Sequence, residues 1–254
     1  MSAPLLEARG IKKAFGAIKA LDGVDVTVGA GSIHGIIGPN GSGKTTLFNC
    51  ITGLLKPDSG SVRLDGRDIT SLRPHAIANS GIRRTFQAGK LVPGMTVMEN
   101  VMVGINDRIG DSAVDLLRLP FRVSRREGQI RRRANDALDL VGMQDAAGRW
   151  AADLVWTERQ LVQIARALIA DPKVLLLDEP ASGMGVREAE KVEAIIRGVR
   201  ERGITVVVVS HDVKLLMNLS DRVTVLNFGE KIAEGEPSVI QSDPRVLEAY
   251  LGTQ

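Results

Sequence analysis

Three short stretches hold residue types that could grip a phosphate chain, hold a hard metal ion and activate water. The first is "GPNGSGKTT", Gly38 to Thr46, which satisfies G-x-x-x-x-G-K-[ST] and leads from the apolar run "SIHGIIG" into "KTTLFNCITGLL". Glycines let the backbone from Gly38 through Pro39, Asn40, Gly41, Ser42 and Gly43 wrap a polyphosphate so that successive N–H groups point at oxygens. The helix that follows aims its positive end at the same charge. Lys44 would neutralise the β- and γ-phosphates and the Thr45 hydroxyl would ligate magnesium, with Thr46 beside them in the binding set. The second stretch, "VLLLDEP", ends an apolar run in Asp178, a carboxylate suited to magnesium, and Glu179, placed to accept a proton from an attacking water. The third, "VVVVSHD", sets His211 at a strand end, where an imidazole can reach the γ-phosphate. An acidic pair or one histidine in such a place is more often structural; their combination with the phosphate loop points to nucleotide hydrolysis.

These side chains need a sheet to bring them together. The β-rich runs at 32–38, 173–180 and 203–212 alternate with helical stretches, a pattern that predicts an α/β fold with a parallel sheet covered on both faces. In such folds, ligands bind beyond the carboxyl ends of the strands. The first 35 or so residues read as short strands and turns. From 88 to 160 no β-rich run occurs, and Ile130, Ala134, Ala137, Leu138 and Val141 recur at helical spacing, so a helical insertion is expected. Arg118, Arg122, Arg125, Arg126, Arg131, Arg132 and Arg133 crowd this insertion. A solvated helix face is the favoured reading, because Phe121 is the one aromatic interleaved with the charge.

Composition narrows the class further. With 254 residues, 44% of them apolar, the chain can bury an ordinary core, and a formal charge of +3 is far from the field of a dedicated nucleic-acid binder. The single cysteine, Cys50, rules out an internal disulfide framework and reads as a buried core residue. The N-terminus resembles neither a signal peptide nor an anchor, and the longest apolar runs fall well short of the roughly 20 residues of a membrane helix. A GTPase would need an N-K-x-D motif, which is absent.

With "RRTFQ" at 83–87 added to the phosphate loop, "VLLLDEP" and His211, the chain resembles the ATP-binding cassette ATPases that drive transporters. The resemblance implies a P-loop NTPase (RecA-like) parallel-sheet core with an N-terminal antiparallel β subdomain and an inserted α-helical subdomain. One cassette domain is expected over 1–254, with a core at 1–87 and 161–235, the helical part at 88–160 and a tail at 236–254. ATP and Mg2+ are the implied ligands. Gln87 matches the glutamine that touches the metal or the attacking water, and Phe15 the aromatic that stacks on adenine. More narrowly, "LFNCITG", "MTVMENV", "SHDVKLLMNLSDRVTVLNFGEKIAEGEP" and "DPRVLEAYLG" resemble the ATPases of branched-chain amino acid importers. That implies a separate membrane permease, an indirect link to a solute-binding protein, no nucleic-acid partner and a peripheral place on the cytoplasmic face of the inner membrane. A cassette that acts on nucleic acid or ribosomes is the alternative, and a module that binds without hydrolysing is disfavoured by Glu179.

The chain departs from the family pattern in two places. Where the signature L-S-G-G-Q belongs, Leu154 to Glu158 reads "LVWTE", without the serine hydroxyl that is offered to ATP on a second cassette. Thr157 with Gln160 forms a capping-box pattern, and Leu161, Ile164, Ala165, Leu168 and Ile169 follow at helical spacing, so a helix is expected to start there. After "DEP", the usual L-D is replaced by Met184 and Gly185. Both departures lie on surfaces offered to a partner cassette, while the residues serving this chain's own nucleotide are present. A heterodimer with unequal sites is therefore favoured over a homodimer.

Overall fold

The computed structural model describes residues 4–85, 91–105 and 120–251. It separates into two compact units, one made of residues 1–87 with 173–254 and the other of 88–172.

The first unit holds two sheets. In the four-stranded one, β1 (Pro4–Phe15) lies between β2 (Ile18–Gly29) and β4 (Ser59–Leu64), with the short β5 (Arg67–Asp68) at the edge, all antiparallel. In the six-stranded sheet the order is β10-β9-β3-β8-β7-β6. Here β3 (Ile33–Ile37), β6 (Ile82–Arg84), β7 (Val174–Asp178), β8 (Thr205–Val209) and β9 (Arg222–Asn227) run parallel, and β10 (Glu230–Gly235) returns antiparallel to β9. Strands β3, β7 and β8 are buried at every position. That is why they read as unbroken apolar runs instead of alternating ones.

Helix α1 (Lys44–Ile51) is packed between the sheets: Leu47, Phe48, Cys50 and Ile51 share one apolar cluster with Leu6, Val26 and Val62 on one side and Leu176 and Val207 on the other. Burying four such side chains stabilises the start of the helix by several kcal/mol. Cys50 is buried in this core, as its sequence context predicts. Helix α2 (Pro74–Ser80) leads into β6, with proline at its first turn and Gly81 in a left-handed conformation at its end. Strands β6 and β9 are among those that escaped the sequence reading. Strand β6 is three residues long and carries two arginines, and β9 mixes Arg222 and Thr224 with its apolar residues; neither makes a long apolar run.

The second unit is helical among its described residues. Helix α3 (Val97–Met102) starts with a capping box in which Glu99 N–H donates to the Thr96 hydroxyl and the Glu99 carboxylate takes the Thr96 N–H. Helix α4 (Pro120–Leu140) turns Ala134, Ala137 and Leu138 inward, and Val141 just beyond it is buried too, the face that the periodicity predicts. Arg131, Arg132 and Arg133 are exposed on it; the side chains of Arg118, Arg122, Arg125 and Arg126 lie outside the described residues. Helix α5 (Trp156–Leu168) buries Ile164, Ala165 and Leu168, and the whole of it groups with this unit, beyond the return to the core expected at 161.

The start of α5 corrects one expectation. Val155 is the cap position, and Val155 N–H donates to the Glu158 carboxylate at 3.0 Å. Glu158 in turn holds Arg149, at 2.7 Å, and the pair keeps its carboxyl below the ordinary range. Gln160 is buried instead of capping. A carboxylate three residues into a helix satisfies an orphan N–H and complements the dipole better than the amide of the expected Thr157–Gln160 pair.

The first unit continues with α6 (Val186–Glu201), α7 (Val213–Leu219), α8 (Pro237–Gln241) and α9 (Pro244–Leu251). Asp212 caps α7 by accepting from Leu215 N–H. No described helix is long and apolar enough to cross a membrane.

Candidate active site

The carboxyl ends of β3, β7 and β8 finish side by side. Ile36 and Asp178 are both level with Val209 of β8, so the segments that follow these three strands emerge at one edge. There, Asn40, Gly41, Ser42, Gly43, Lys44, Thr45 and Thr46 line a cleft of about 250 Å³ together with Asp178 and Glu179. Three stretches far apart in sequence thus meet because the parallel register aligns them.

The loop depends on its glycines. Gly43 sits at φ 104°, and a Cβ there would come within 2.5 Å of the Ala20 carbonyl oxygen. Gly38 is also in the positive-φ region, with the Leu226 carbonyl pressed against it. The Lys44 ammonium is turned back onto the loop, donating to the carbonyls of Gly38 at 2.7 Å and Pro39 at 2.9 Å. Burial pushes its pKa down, against the pull of Glu179 and Asp178. A loop that gathers N–H groups and an under-neutralised cation has the charge to receive a polyphosphate.

Opposite, Glu179 is buried and adopts φ 53°. A bulky residue in the left-handed region costs roughly 1–3 kcal/mol, which a functional site tolerates when the strain aims a side chain. Its N–H donates to the Val209 carbonyl, and its carboxylate meets His211 Nδ1 at 2.7 Å. The geometry brings these two predicted residues into direct contact. The second ring nitrogen of His211 remains available to a ligand, since the imidazole is largely exposed.

Asp178 is held from a direction the sequence reading missed. Arg84, the last residue of β6, donates from Nη2 to Asp178 Oδ2 at 2.7 Å and from Nη1 to Asn49 Oδ1 at 2.6 Å, and its guanidinium lies 5.3 Å from the centre of the Phe48 ring. Both side chains of the ion pair are about 5% exposed. An arginine within a short apolar segment beside "TFQ" was the available signal.

Phe15 ends β1 at the tip of the β1–β2 hairpin and is half exposed. Lys13 places its ammonium 5.9 Å from the ring centre, and Asp58 accepts from Lys13 at 2.6 Å and from Ala14 N–H at 2.7 Å. Gln87 lies outside the described residues. A magnesium ion fits the donors that are described, because the Thr45 hydroxyl and the Asp178 carboxylate line one cleft with the phosphate loop. They supply only a few of its six oxygens, as is usual where phosphate and water furnish the rest.

The family profile described as ABC transporter matches residues 21–182, and one described as branched-chain amino acid ATP-binding cassette transporter matches residues 230–254. The chain is 39% identical to the high-affinity branched-chain amino acid transport ATP-binding protein BraF of Pseudomonas aeruginosa, over 99% of both chains. It is 37% identical to LivG of Escherichia coli, a protein of the same description, again over 99% of both. Among solved structures, an ATP-binding cassette of an ABC transporter in its ADP conformation superposes with a TM-score of 0.86 at 36% identity, covering 99% of this chain and 100% of that one. A dimeric cassette in a post-hydrolysis state, bound to ADP and Pi, gives 0.76 at 28% identity, covering 92% and 99%. With phosphate loop, acidic pair and histidine converging on one sheet edge, and with likeness along nearly its whole length, the chain belongs to the ABC transporter family as one of its ATP-binding cassettes.

Proposed function

We infer that this cassette binds ATP with Mg2+ and hydrolyses it to drive a separate membrane permease that imports branched-chain amino acids or related small amides. The observation that carries the reading is the Glu179–His211 pair at 2.7 Å, set across the cleft from Lys44 and the phosphate loop. In this reading the loop N–H groups and Lys44 hold the β- and γ-phosphates, Lys44 leaving the carbonyls of Gly38 and Pro39 as phosphate oxygens arrive. Glu179 accepts the proton of a water aligned with the γ-phosphate, and His211 fixes the carboxylate and donates to the phosphate from its other nitrogen. Thr45, Asp178 and Gln87 are the residues assigned to the metal, which when bound screens the charge of the β- and γ-oxygens. Phe15 is the assigned adenine platform.

Branched-chain amino acids are the proposed cargo because that is the stated role of the relatives matched over nearly their full length. A permease and a solute-binding protein would be separate chains, with this subunit peripheral on the cytoplasmic face. The exposed Val155 and Trp156, in place of a small serine and glycine, support pairing with a second, different cassette. The test is binding of ATP to the purified chain with and without magnesium, followed by hydrolysis in the assembled complex. Magnesium-dependent affinity and turnover are expected; an absence of both would overturn the reading.

A further inference from the structure

The Arg84 guanidinium is a permanent cation sealed beside the carboxylate assigned to the metal. It spans three elements: its own strand β6, Asp178 at the end of β7, and Asn49 on the helix that leaves the phosphate loop. The Phe48 ring lies against it, and its charge is nearly shut off from water. Removing one partner of such a buried pair leaves the other charge uncompensated, so the pair persists whenever nothing else offers positive charge to Asp178. One of the two carboxylate oxygens is thereby spent on Arg84. Among the described residues, moreover, no group of three or more His, Cys, Asp or Glu could hold an ion by itself.

We propose that Arg84 is a built-in rival of the metal for Asp178, which makes divalent-ion binding conditional on nucleotide. A free divalent ion approaching Asp178 meets a carboxylate already half neutralised and the repulsion of a nearby positive charge in a poorly screened setting. A nucleotide phosphate chain in the loop adds enough negative charge and enough oxygen ligands to overcome both. Arg84 thus acts as a positioning residue: it orients Asp178 through one oxygen, ties that orientation to α1 through Asn49, and keeps the empty cleft from filling with a bare ion. This rests on the assignment of Asp178 to the metal made above.

The experiment is a Mn2+ titration of the purified chain followed by electron paramagnetic resonance, with and without ADP. The parent chain should bind Mn2+ weakly alone and tightly with ADP. Arg84→Met should tighten binding without nucleotide by about tenfold or more, narrowing the difference that ADP makes, whereas Arg84→Lys, which keeps the charge, should stay near the parent. Asp178→Asn should weaken Mn2+ binding with ADP and, combined with Arg84→Met, remove the gain. Should Arg84→Met be unfolded by circular dichroism, Arg84→Gln, which is polar but uncharged, carries the same comparison. If the neutral variant binds bare Mn2+ no more tightly than the parent while Asp178→Asn weakens binding with ADP, the rivalry is refuted and the metal assignment stands. If Asp178→Asn has no effect with ADP, the metal assignment itself falls.

Discussion

At the scale of single residues, Glu179, the proposed general base, shares the cleft with the buried Lys44 and touches the His211 imidazole, and each can be tested separately. Glu179→Gln keeps the shape and the backbone conformation but cannot accept a proton. Turnover should fall by at least about 100-fold, with ATP affinity and melting temperature near those of the parent, read by nucleotide titration and thermal denaturation. Lys44 gives a pH test. Its pKa is lowered chiefly by burial, so as pH rises toward the ordinary 10.5 the nucleotide-free chain loses this proton first. A bound phosphate favours the charged form, so affinity should decline through that alkaline window and binding should take up protons there. Calorimetry in two buffers of different ionisation enthalpy measures that uptake; its absence in Lys44→Met would assign it. These residues were legible because phosphate chemistry needs fixed types at fixed spacing. Arg84 was not, since its role comes from burial and from partners on two other elements.

At the scale of elements, the β1–β2 hairpin and the strand β3 make different demands. Asp58, just before β4, ties down Lys13 and Ala14 and so fixes the hairpin tip that carries Phe15. Asp58→Ala should loosen that tip and weaken ATP binding by about threefold to tenfold, the worth of an aromatic stack, while leaving affinity for inorganic tripolyphosphate unchanged; competition titrations with the two ligands separate the effects. On β3, His34 is fully buried, with Nε2 2.9 Å from the Thr224 hydroxyl. Burial pushes its pKa from 6.5 down to about 4. The unfolded chain therefore binds a proton that the folded chain refuses, and stability that is complete above about 6.5 declines as pH falls toward 4. His34→Gln should flatten that decline by roughly 3 kcal/mol, seen as a smaller loss of melting temperature between neutral and acid conditions. The start of α5 teaches a related lesson: Thr157 and Gln160 had the right spacing for a cap, yet Glu158 took the role once Arg149 stood beside it.

At the scale of the whole molecule, no described helix is long and apolar enough to cross a membrane, and the two departures from the family pattern say which asymmetry the proposed heterodimer should show. If the cassette pairs as proposed, Glu179→Gln in the assembled transporter should stop nearly all turnover, whereas the equivalent change in a partner cassette should leave a substantial rate, because the exposed Val155 and Trp156 would serve the partner's nucleotide poorly. Steady-state hydrolysis by the two singly altered complexes decides it; dominance of the partner's glutamate would reverse the assignment, and a sharp loss in Thr157→Ala would show that threonine supplies the missing hydroxyl. The sequence alone determined the α/β class, the phosphate loop, the acidic pair and the helical insertion, because apolar runs, glycines and charged residues at set spacings are local signals. Only the tertiary structure decided which strands are neighbours, that Glu179 faces His211, that Arg84 closes on Asp178, and that Asp58 holds the Phe15 hairpin. Those facts arise from parallel pairing and from burial shared by distant segments, which no spacing along one chain records.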